Sequence, residues 1–242
     1  MVLTTMTEPQ HIVGLSGGGD STAMALWLAA NEPRDYTYIC NATGNELPDL
    51  FSHLAHLETL LGKTIERVGY HTDLYGLIDE ERMIPNFRAR FCTRMLKIEP
   101  TIAYFEKLPA GSVLYVGLLA DEEERQGLYG EDIVCRFPLR ELGWRKSDVF
   151  AYNKSRNVNV PERTDCAVCP YQRINQWHAL WQNHPAEYAK GETIEAKYGK
   201  TFRSEGRDTW PASLAEMRQE FERGRKVRPY VKKNEVCRVC SL

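Results

Sequence analysis

Apolar and polar positions along the first half of the chain follow two alternating patterns. Short apolar runs predict β-strands at residues 11–15, 35–41, 64–68 and 112–119. Apolar side chains at helical spacing predict α-helices at residues 21–30, 48–61 and 98–105. Strands that alternate with helices predict a doubly wound parallel sheet, in which ligands bind at the carboxyl ends of the strands.

The pattern changes after about residue 161, because no later run predicts a strand. Helical spacing continues in an aromatic-rich stretch at residues 175–198 and again at 214–223. Two Cys-x-x-Cys pairs also fall in this part of the chain. We therefore expect an α/β domain over residues 1–160 and a helical, cysteine-bearing C-terminal lobe over residues 161–242.

A glycine-rich loop follows the first predicted strand and opens the first predicted helix. It consists of Ser16, Gly17, Gly18, Gly19, Asp20, Ser21 and Thr22. Successive glycines let the backbone approach an anion closely, and the N–H groups at a helix start favour negative charge. The three hydroxyl groups add donors, and the Asp20 carboxylate suits Mg²⁺. The loop lacks the Walker spacing, so we expect a phosphate site of another type; a capped glycine turn is the structural alternative.

Composition narrows the class of protein. The chain has 242 residues, of which 43% are hydrophobic and 26% charged, as in an ordinary globular protein. No apolar run approaches the roughly 20 residues of a membrane span, and residues 1–10 lack the pattern of a secretory signal. The formal charge of −2 gives no overall argument for nucleic-acid binding. Seven cysteines without a secretory signal are typical of reduced thiols in a cytosol, so the expected location is cytoplasmic. The sequence leaves open whether the protein forms homo-oligomers.

Segments in the same order along residues 11–185 resemble motifs of one family. The glycine loop resembles the Ser-Gly-Gly-x-Asp-Ser pyrophosphate loop of the adenine nucleotide α-hydrolase-like superfamily, the PP-loop ATP pyrophosphatases. The other segments resemble its phosphoadenylyl-sulfate (PAPS) reductase branch. They are TGNELP at 43–48, CTRMLKIEP at 92–100, the segment at 117–125 that begins with Gly117, Pro138-Leu139 followed by Trp144 and Asp148-Val149, and CAVCP at 166–170.

This resemblance implies a Rossmann-like nucleotide-binding domain and an ATP site. Beyond the glycine loop, the side chains and glycines implied in nucleotide binding are Thr43, Gly44, Glu46, Arg94 and Gly117. Lys97 and Arg94 would balance phosphate charge, and Asp20 would contact Mg²⁺. We expect Asp20 and Lys97 to be catalytic, together with Cys240 as a mobile thiol.

The sequence departs from the PAPS reductase branch at several positions. Thr93 stands where that branch has the second cysteine of a pair. Leu118 and Leu119 stand where reductases tend to have arginines for sulfate and phosphate, and the C-terminal Glu-Cys-Gly of reductases is absent. Since arginine binds such anions through paired hydrogen bonds, these departures argue against reductase activity.

The cysteines suggest a metal site. Cys166 with Cys169, and Cys237 with Cys240, form two Cys-x-x-Cys pairs that can close a four-sulfur site for Zn²⁺ or an iron–sulfur cluster. The resemblance places Cys92 at a cluster-ligand position. We expect a [4Fe-4S] cluster on Cys92, Cys166, Cys169 and one tail cysteine, assigned as Cys237; a zinc knuckle and a redox dithiol are the alternatives. Cys40, inside a predicted strand, is expected to be a small buried apolar side chain, and Cys135, near Phe137, is expected to be structural.

The expected function is an ATP-dependent enzyme for sulfur transfer. ATP would bind on the glycine loop, an acceptor oxygen would attack the α-phosphorus, pyrophosphate would leave, and a sulfur nucleophile would displace AMP. A tRNA base, a DNA position or a small metabolite would all fit as the acceptor. Two alternatives remain open, a PAPS or adenylyl-sulfate reductase that uses a C-terminal cysteine and a non-catalytic nucleic-acid-binding module with a zinc knuckle.

Overall fold

A five-stranded parallel β-sheet lies at the centre of the computed structural model, which describes residues 8–122, 129 and 132–229. The strands are β1 (His11–Gly14), β2 (Tyr36–Cys40), β3 (Ile65–Arg67), β4 (Val113–Tyr115) and β5 (Val134–Arg136). Their order in the sheet is β3-β2-β1-β4-β5, and every neighbouring pair is parallel. The chain therefore builds outward from β1 to β3 and then returns to the other side of β1.

Helices connect the strands and cover the sheet. They are α1 (Gly19–Asn31), α2 (Pro48–Leu61), α3 (Leu74–Glu81), α4 (Phe91–Thr93), α5 (Glu99–Phe105), α6 (Pro138–Glu141), α7 (Lys146–Ser155), α8 (Ile174–Asn183), α9 (Pro185–Tyr198) and α10 (Leu214–Glu222). A π-helical turn, Arg94–Ile98, joins α4 to α5, and a 3₁₀ turn, Ala120–Glu122, follows β4.

Alternate side chains of the strands pack against helices on opposite faces of the sheet. Val13 and Tyr38 belong to a core shared with α1, α2 and α7, whereas Ile12 and Leu114 belong to a core shared with α5. Strands buried on both faces are typical of parallel sheets with helical crossovers. The predicted doubly wound α/β fold is therefore confirmed.

The C-terminal helices share a third core with the first part of the chain. Trp177 of α8 and Met217 of α10 are fully buried, and they pack in one cluster with Leu77 of α3 and Leu96 of the π-helical turn. The helical character expected beyond residue 161 is present in the part of this region that the structure describes, up to residue 229. The division into domains at residue 160 stays a prediction.

The aromatic-rich stretch expected to be helical from 175 to 198 consists of two helices. α8 ends at Asn183 and α9 begins at Pro185, with His184 between them. Proline has no N–H to continue the hydrogen-bond ladder of α8, but it fits the first position of a new helix. No helix in the described ranges is long and apolar enough to cross a membrane.

A buried carboxylate fixes the start of the last helix. Glu195 accepts hydrogen bonds from the backbone N–H of Phe202 at 2.9 Å and of Leu214 at 2.6 Å. Burial raises the pKa of Glu195 to about 7, against an ordinary value of 4.5. The protonated form is therefore favoured by folding, and its contribution is complete below pH 4.5 and is lost as the pH rises through 7.

We expect Glu195→Gln to flatten the pH dependence of stability, because the amide cannot ionise. Between pH 5 and pH 8 the free energy of unfolding of the wild type should fall by up to about 3 kcal/mol more than that of the variant. Denaturant unfolding at both pH values measures this, with Glu205→Gln as the exposed control. Parallel pH profiles for wild type and Glu195→Gln would contradict it.

Candidate functional site

The glycine loop lies where the order of the strands reverses. It follows β1, and the segment after β4 runs beside it, so both carboxyl ends open at the same point of the sheet. This switch point is where open α/β sheets bind their ligands. Ser16 Oγ lies 3.1 Å from Ser21 Oγ and accepts a 3.4 Å hydrogen bond from the N–H of Gly18. The two serine hydroxyls thus meet across the loop, at the start of α1.

Glycine is required at two positions here for steric reasons. Gly17 has φ +75°, and a Cβ on it would collide with Leu50 of α2. A Cβ on Gly117 would lie 3.0 Å from the backbone nitrogen of Ser21 and 3.1 Å from the carbonyl carbon of Asp20. Gly117 therefore acts by letting the segment after β4 pack directly on the loop. Its predicted contact with nucleotide remains a prediction.

Thr22 faces the interior rather than the mouth of the loop. Its side chain is fully buried, and its Oγ1 lies 3.1 Å from Nε2 of His53 on α2. Burial lowers the pKa of His53 to about 4, so its ring is neutral at physiological pH. In this structure the Thr22 hydroxyl joins α1 to α2, and its proposed bond to phosphate would have to replace that contact.

Asp20 forms an ion pair with a residue that sequence reasoning misses. Lys146 Nζ, at the start of α7, lies 2.7 and 2.9 Å from the two carboxylate oxygens of Asp20. Burial raises the pKa of Asp20, and the neighbouring Lys146 ammonium opposes that shift. The amide of Asn153, also on α7, donates to the carbonyl of Gly19 at 2.9 Å. Helix α7 thus holds both the backbone and the carboxylate of the loop.

The loop after β2 contacts the Cys-x-x-Cys segment. Thr43 donates from its N–H and from Oγ1 to the same Glu46 oxygen, each at 2.7 Å. Thr43 Oγ1 also lies 3.1 Å from Sγ of Cys166, and the backbones of Glu46 and Cys166 form an antiparallel bridge. The second Glu46 oxygen is buried and has no partner among the described residues. Gly44, with φ +75°, makes the turn beside Asp73.

One cavity connects the glycine loop to the cysteines. Its lining includes Ser16 from the loop, Thr43 and Glu46 from the loop after β2, and Lys97 from the π-helical turn. All three predicted metal-binding cysteines that the structure describes line it as well: Cys92, Cys166 and Cys169. Cys40, at the end of β2, lines the same cavity although its side chain is only 2% exposed.

The predicted ligand thiols in this cavity are shielded to different degrees: Cys92 and Cys166 are half-buried and Cys169 is buried. Burial raises the pKa of Cys166 to about 12 and raises those of Cys92 and Cys169, while the Lys97 ammonium opposes the shift at Cys92 and Cys166. Protonated, buried thiols release their protons when they bind a metal. The cations that line the cavity with them are Lys97 and Arg90.

Three of the four cluster ligands predicted from the sequence line this cavity, and the cluster itself stays a prediction. In residues 8–122, 129 and 132–229, no three His, Cys, Asp or Glu side chains are arranged around one metal ion. The cysteines of an iron–sulfur cluster bind different irons, so their sulfurs do not need to meet at one point. Cys237 and Cys240, the predicted fourth ligand and mobile thiol, lie outside the described residues.

Several predicted positions do not line this cavity: of the glycine loop only Ser16 lines it, and neither Gly44, Gly117 nor Arg94 does. Arg94 is exposed on the π-helical turn and pairs with Glu99 at 2.6 Å, so its predicted contact with nucleotide remains a prediction. Leu118 and Leu119 are 2% and 1% exposed and pack in the cores on the two faces of the sheet. They are apolar packing residues in this structure.

Two pairs of an arginine and an aromatic ring form what we call the rim: Arg90 and Tyr171 line the cavity, and Phe87 and Arg88 follow the lining residue Asn86 in sequence. The Arg90 guanidinium lies 5.2 Å from the ring centre of Tyr171, and that of Arg88 lies 5.2 Å from the ring centre of Phe87. Tyr171 donates from its hydroxyl to the carbonyl of Phe87, whose side chain is 50% exposed. The rim therefore offers flat ring faces and positive charge to an incoming molecule.

Comparison with known proteins finds similarity at the level of structure. No protein-family model matches the chain, and no curated protein sequence matches it significantly. The structure is similar to a PAPS reductase from Candida auris in complex with phosphate, with 13% identity, a TM-score of 0.49, and coverage of 66% of this chain and 78% of that one.

Two further solved structures are similar over more of this chain. The U34-tRNA thiolase NcsA from Methanococcus maripaludis, solved with its [4Fe-4S] cluster, has 18% identity, a TM-score of 0.47, and coverage of 86% of this chain and 78% of that one. The NMN synthetase from Francisella tularensis has 18% identity, a TM-score of 0.47, and coverage of 93% and 90%. Identities of 13% to 18% and TM-scores below 0.5 carry no argument about function, so only this chain's own residues can support one.

Proposed function

We propose that this protein is an ATP-dependent enzyme of the PP-loop pyrophosphatase type that activates an acceptor for sulfur transfer. The observation that carries the proposal is that one cavity is lined both by Ser16 of the glycine loop and by Cys92, Cys166 and Cys169. With a phosphate-binding loop and a group of thiols in one cavity, an enzyme can activate the substrate and transfer sulfur to it before the activated substrate is released.

The residues of this chain would bind and orient the reactants. The triphosphate would lie against the backbone N–H groups at the start of α1, with the hydroxyls of Ser16 and Ser21 as further donors. Asp20 would contact Mg²⁺, which compensates the charge of the leaving pyrophosphate. Lys97, inside the cavity, would stabilise negative charge that develops at the α-phosphate as the acceptor oxygen attacks. Catalysis would then rest on positioning and electrostatic stabilisation.

The cysteines would hold a [4Fe-4S] cluster. Cys92, Cys166 and Cys169 supply three thiolates from one cavity, and Cys237 is the proposed fourth ligand. When bound, such a cluster carries or activates the sulfur nucleophile. The positive charges of Lys97 and Arg90 would balance the negative charge of the ligating thiolates, as cations do beside low-pKa cysteines.

The rim suits a planar acceptor. Tyr171 and Phe87 provide ring faces, and Arg88 and Arg90 provide charge for phosphate groups. Nucleobases stack on such aromatic faces, whereas the backbone phosphates pair with the cations. We therefore propose that the acceptor is a base of a nucleic acid, tRNA or DNA, in preference to a small aliphatic metabolite.

Competition binding tests ATP use against the reductase alternative. We expect ATP to bind at least about tenfold more tightly than adenylyl sulfate or PAPS, because neither sulfonucleotide has the γ-phosphate and the charge that the N–H groups at the start of α1 would bind in the triphosphate. Isothermal calorimetry with a non-hydrolysable ATP analogue and with each sulfonucleotide, at one salt concentration, measures the order. Tighter binding of PAPS, or release of sulfite from it, would support the reductase and overturn the ATP proposal.

A further inference from the structure

Lys146 has a position and a partner that neither the family resemblance nor the glycine-loop motif assigns. It is the first residue of α7, and its Nζ contacts both oxygens of Asp20 at 2.7 and 2.9 Å across 126 positions of sequence. The side chain of Asp20 is 17% exposed and that of Lys146 is 47% exposed. The ammonium group thus lies on the solvent side of a carboxylate that belongs to the loop itself.

Contacts along α7 and just before it hold this helix at the switch point. Asn153 binds the carbonyl of Gly19 at 2.9 Å, and a Cβ on Gly19 would lie 3.7 Å from Val149, so α7 packs directly on the start of α1. Just before α7, the carbonyl of Trp144 accepts a 3.0 Å bond from the N–H of Ala120, in the segment after β4. Lys146 is therefore fixed beside both connections that form the proposed phosphate site.

The local charge explains why the ammonium is needed there. Asp121 and Glu122 lie in the turn after β4. The negative charge of each raises the pKa of Asp20 and so disfavours its ionised form. Carboxylates on this side would repel an incoming polyphosphate unless a metal ion or a cation compensates them. Lysine is suited to this role, because its flexible four-carbon stem lets a point charge change partners over a few ångströms.

We propose that Lys146 is a pyrophosphate-binding residue that changes partner during nucleotide binding. In this structure its ammonium is held by Asp20. With Mg²⁺ and ATP bound, the Asp20 carboxylate would hold the metal ion and the Lys146 ammonium would pair with the β- and γ-phosphates. The inference rests on the proposed function, since it assumes that the glycine loop binds the triphosphate. To that function it adds a role for Lys146, which would neutralise the negative charge of the departing pyrophosphate.

Calorimetry on the full chain tests the proposal with inorganic pyrophosphate and AMP as probes, both in the presence of Mg²⁺. Lys146→Met should weaken pyrophosphate binding at least about tenfold and leave AMP binding unchanged, because AMP lacks the β- and γ-phosphates. Lys154→Met, an exposed lysine in the last turn of the same helix, is the matched control and should bind both probes like the wild type. Pyrophosphate affinity of Lys146→Met within twofold of the wild type would overturn the proposal.

A double variant separates phosphate binding from mere positioning of Asp20. If Lys146 only holds the Asp20 carboxylate, Lys146→Met should have no effect in an Asp20→Asn background. The proposal instead predicts that Asp20→Asn/Lys146→Met binds pyrophosphate at least about fivefold more weakly than Asp20→Asn alone. Equal affinities of the single and double variants would overturn it. A wild type that binds neither pyrophosphate nor ATP would overturn the proposed function as well, whereas a normal wild type with an unaffected Lys146→Met would overturn this inference alone.

Discussion

Replacing Cys92 by Ala should reduce the iron of the anaerobically purified protein from about four atoms per chain to below about one, the largest effect that we expect. Cys92 lines the same cavity as Cys166 and Cys169, so in the proposed cluster it would supply a ligand that no other side chain on its helical segment replaces. Thr93, its neighbour, offers a hydroxyl that does not bind iron as a thiolate does. Iron and acid-labile sulfide analysis, with the absorption spectrum, measures the loss.

Cys135→Ala is the matched control for that experiment. Cys135 lies on β5, away from the lining of the cavity, and its loss should leave the iron content unchanged. The zinc alternative makes the opposite prediction for Cys92, since a knuckle formed by the two Cys-x-x-Cys pairs does not use it. Stoichiometric zinc without iron, and an unaffected Cys92→Ala variant, would refute the cluster.

Gly18→Val should abolish detectable binding of ATP, with at least about a hundredfold loss of affinity, while the protein stays folded. Gly18 precedes α1 with φ −71° and ψ 162°, a conformation that valine adopts readily, so the change adds bulk without backbone strain. That bulk would stand where phosphate has to approach the N–H groups of the helix start. Gly17 is unsuitable for this test because its φ of +75° would strain any other residue.

Calorimetry with a non-hydrolysable ATP analogue measures this loss, and the thermal midpoint checks the fold. Gly69→Val is the control, because a Cβ at Gly69 meets no atom within 4 Å and its backbone is not left-handed. The control should bind the analogue like the wild type. A folded Gly18→Val protein that binds with wild-type affinity would rule out the glycine loop as the phosphate site.

Elements whose ends carry local signals can be predicted closely from the sequence. The predicted bounds of α2 are those observed, because Pro48 suits the first turn and Gly62 adopts the left-handed conformation that ends the helix. β5 has no such signal: it has three residues, and Val134 is 53% exposed, so no alternation is visible. α3 is missed although Asp73 caps it by accepting from the N–H of Gly76, which is a readable sequence signal.

The site is predictable only where it is continuous in sequence. The glycine loop can be recognised because its glycines and serines are adjacent and act together. The contact of Thr43 with Cys166 spans 123 positions, and that of Asp20 with Lys146 spans 126, so only the order of strands and the packing of α7 bring them together. Cys40 illustrates the same limit, since a buried strand residue cannot be distinguished by sequence from one that also borders a cavity.

X-ray diffraction from crystals of the full chain, grown without oxygen and with a non-hydrolysable ATP analogue, would test the central claim most directly. The claim is that one cavity holds both the nucleotide and the cluster. Anomalous data at the iron edge should place iron against Cys92, Cys166 and Cys169, with the triphosphate on the loop from Ser16 to Ser21. Zinc in place of iron, iron bound away from these thiols, or a triphosphate bound away from the glycine loop would contradict the account.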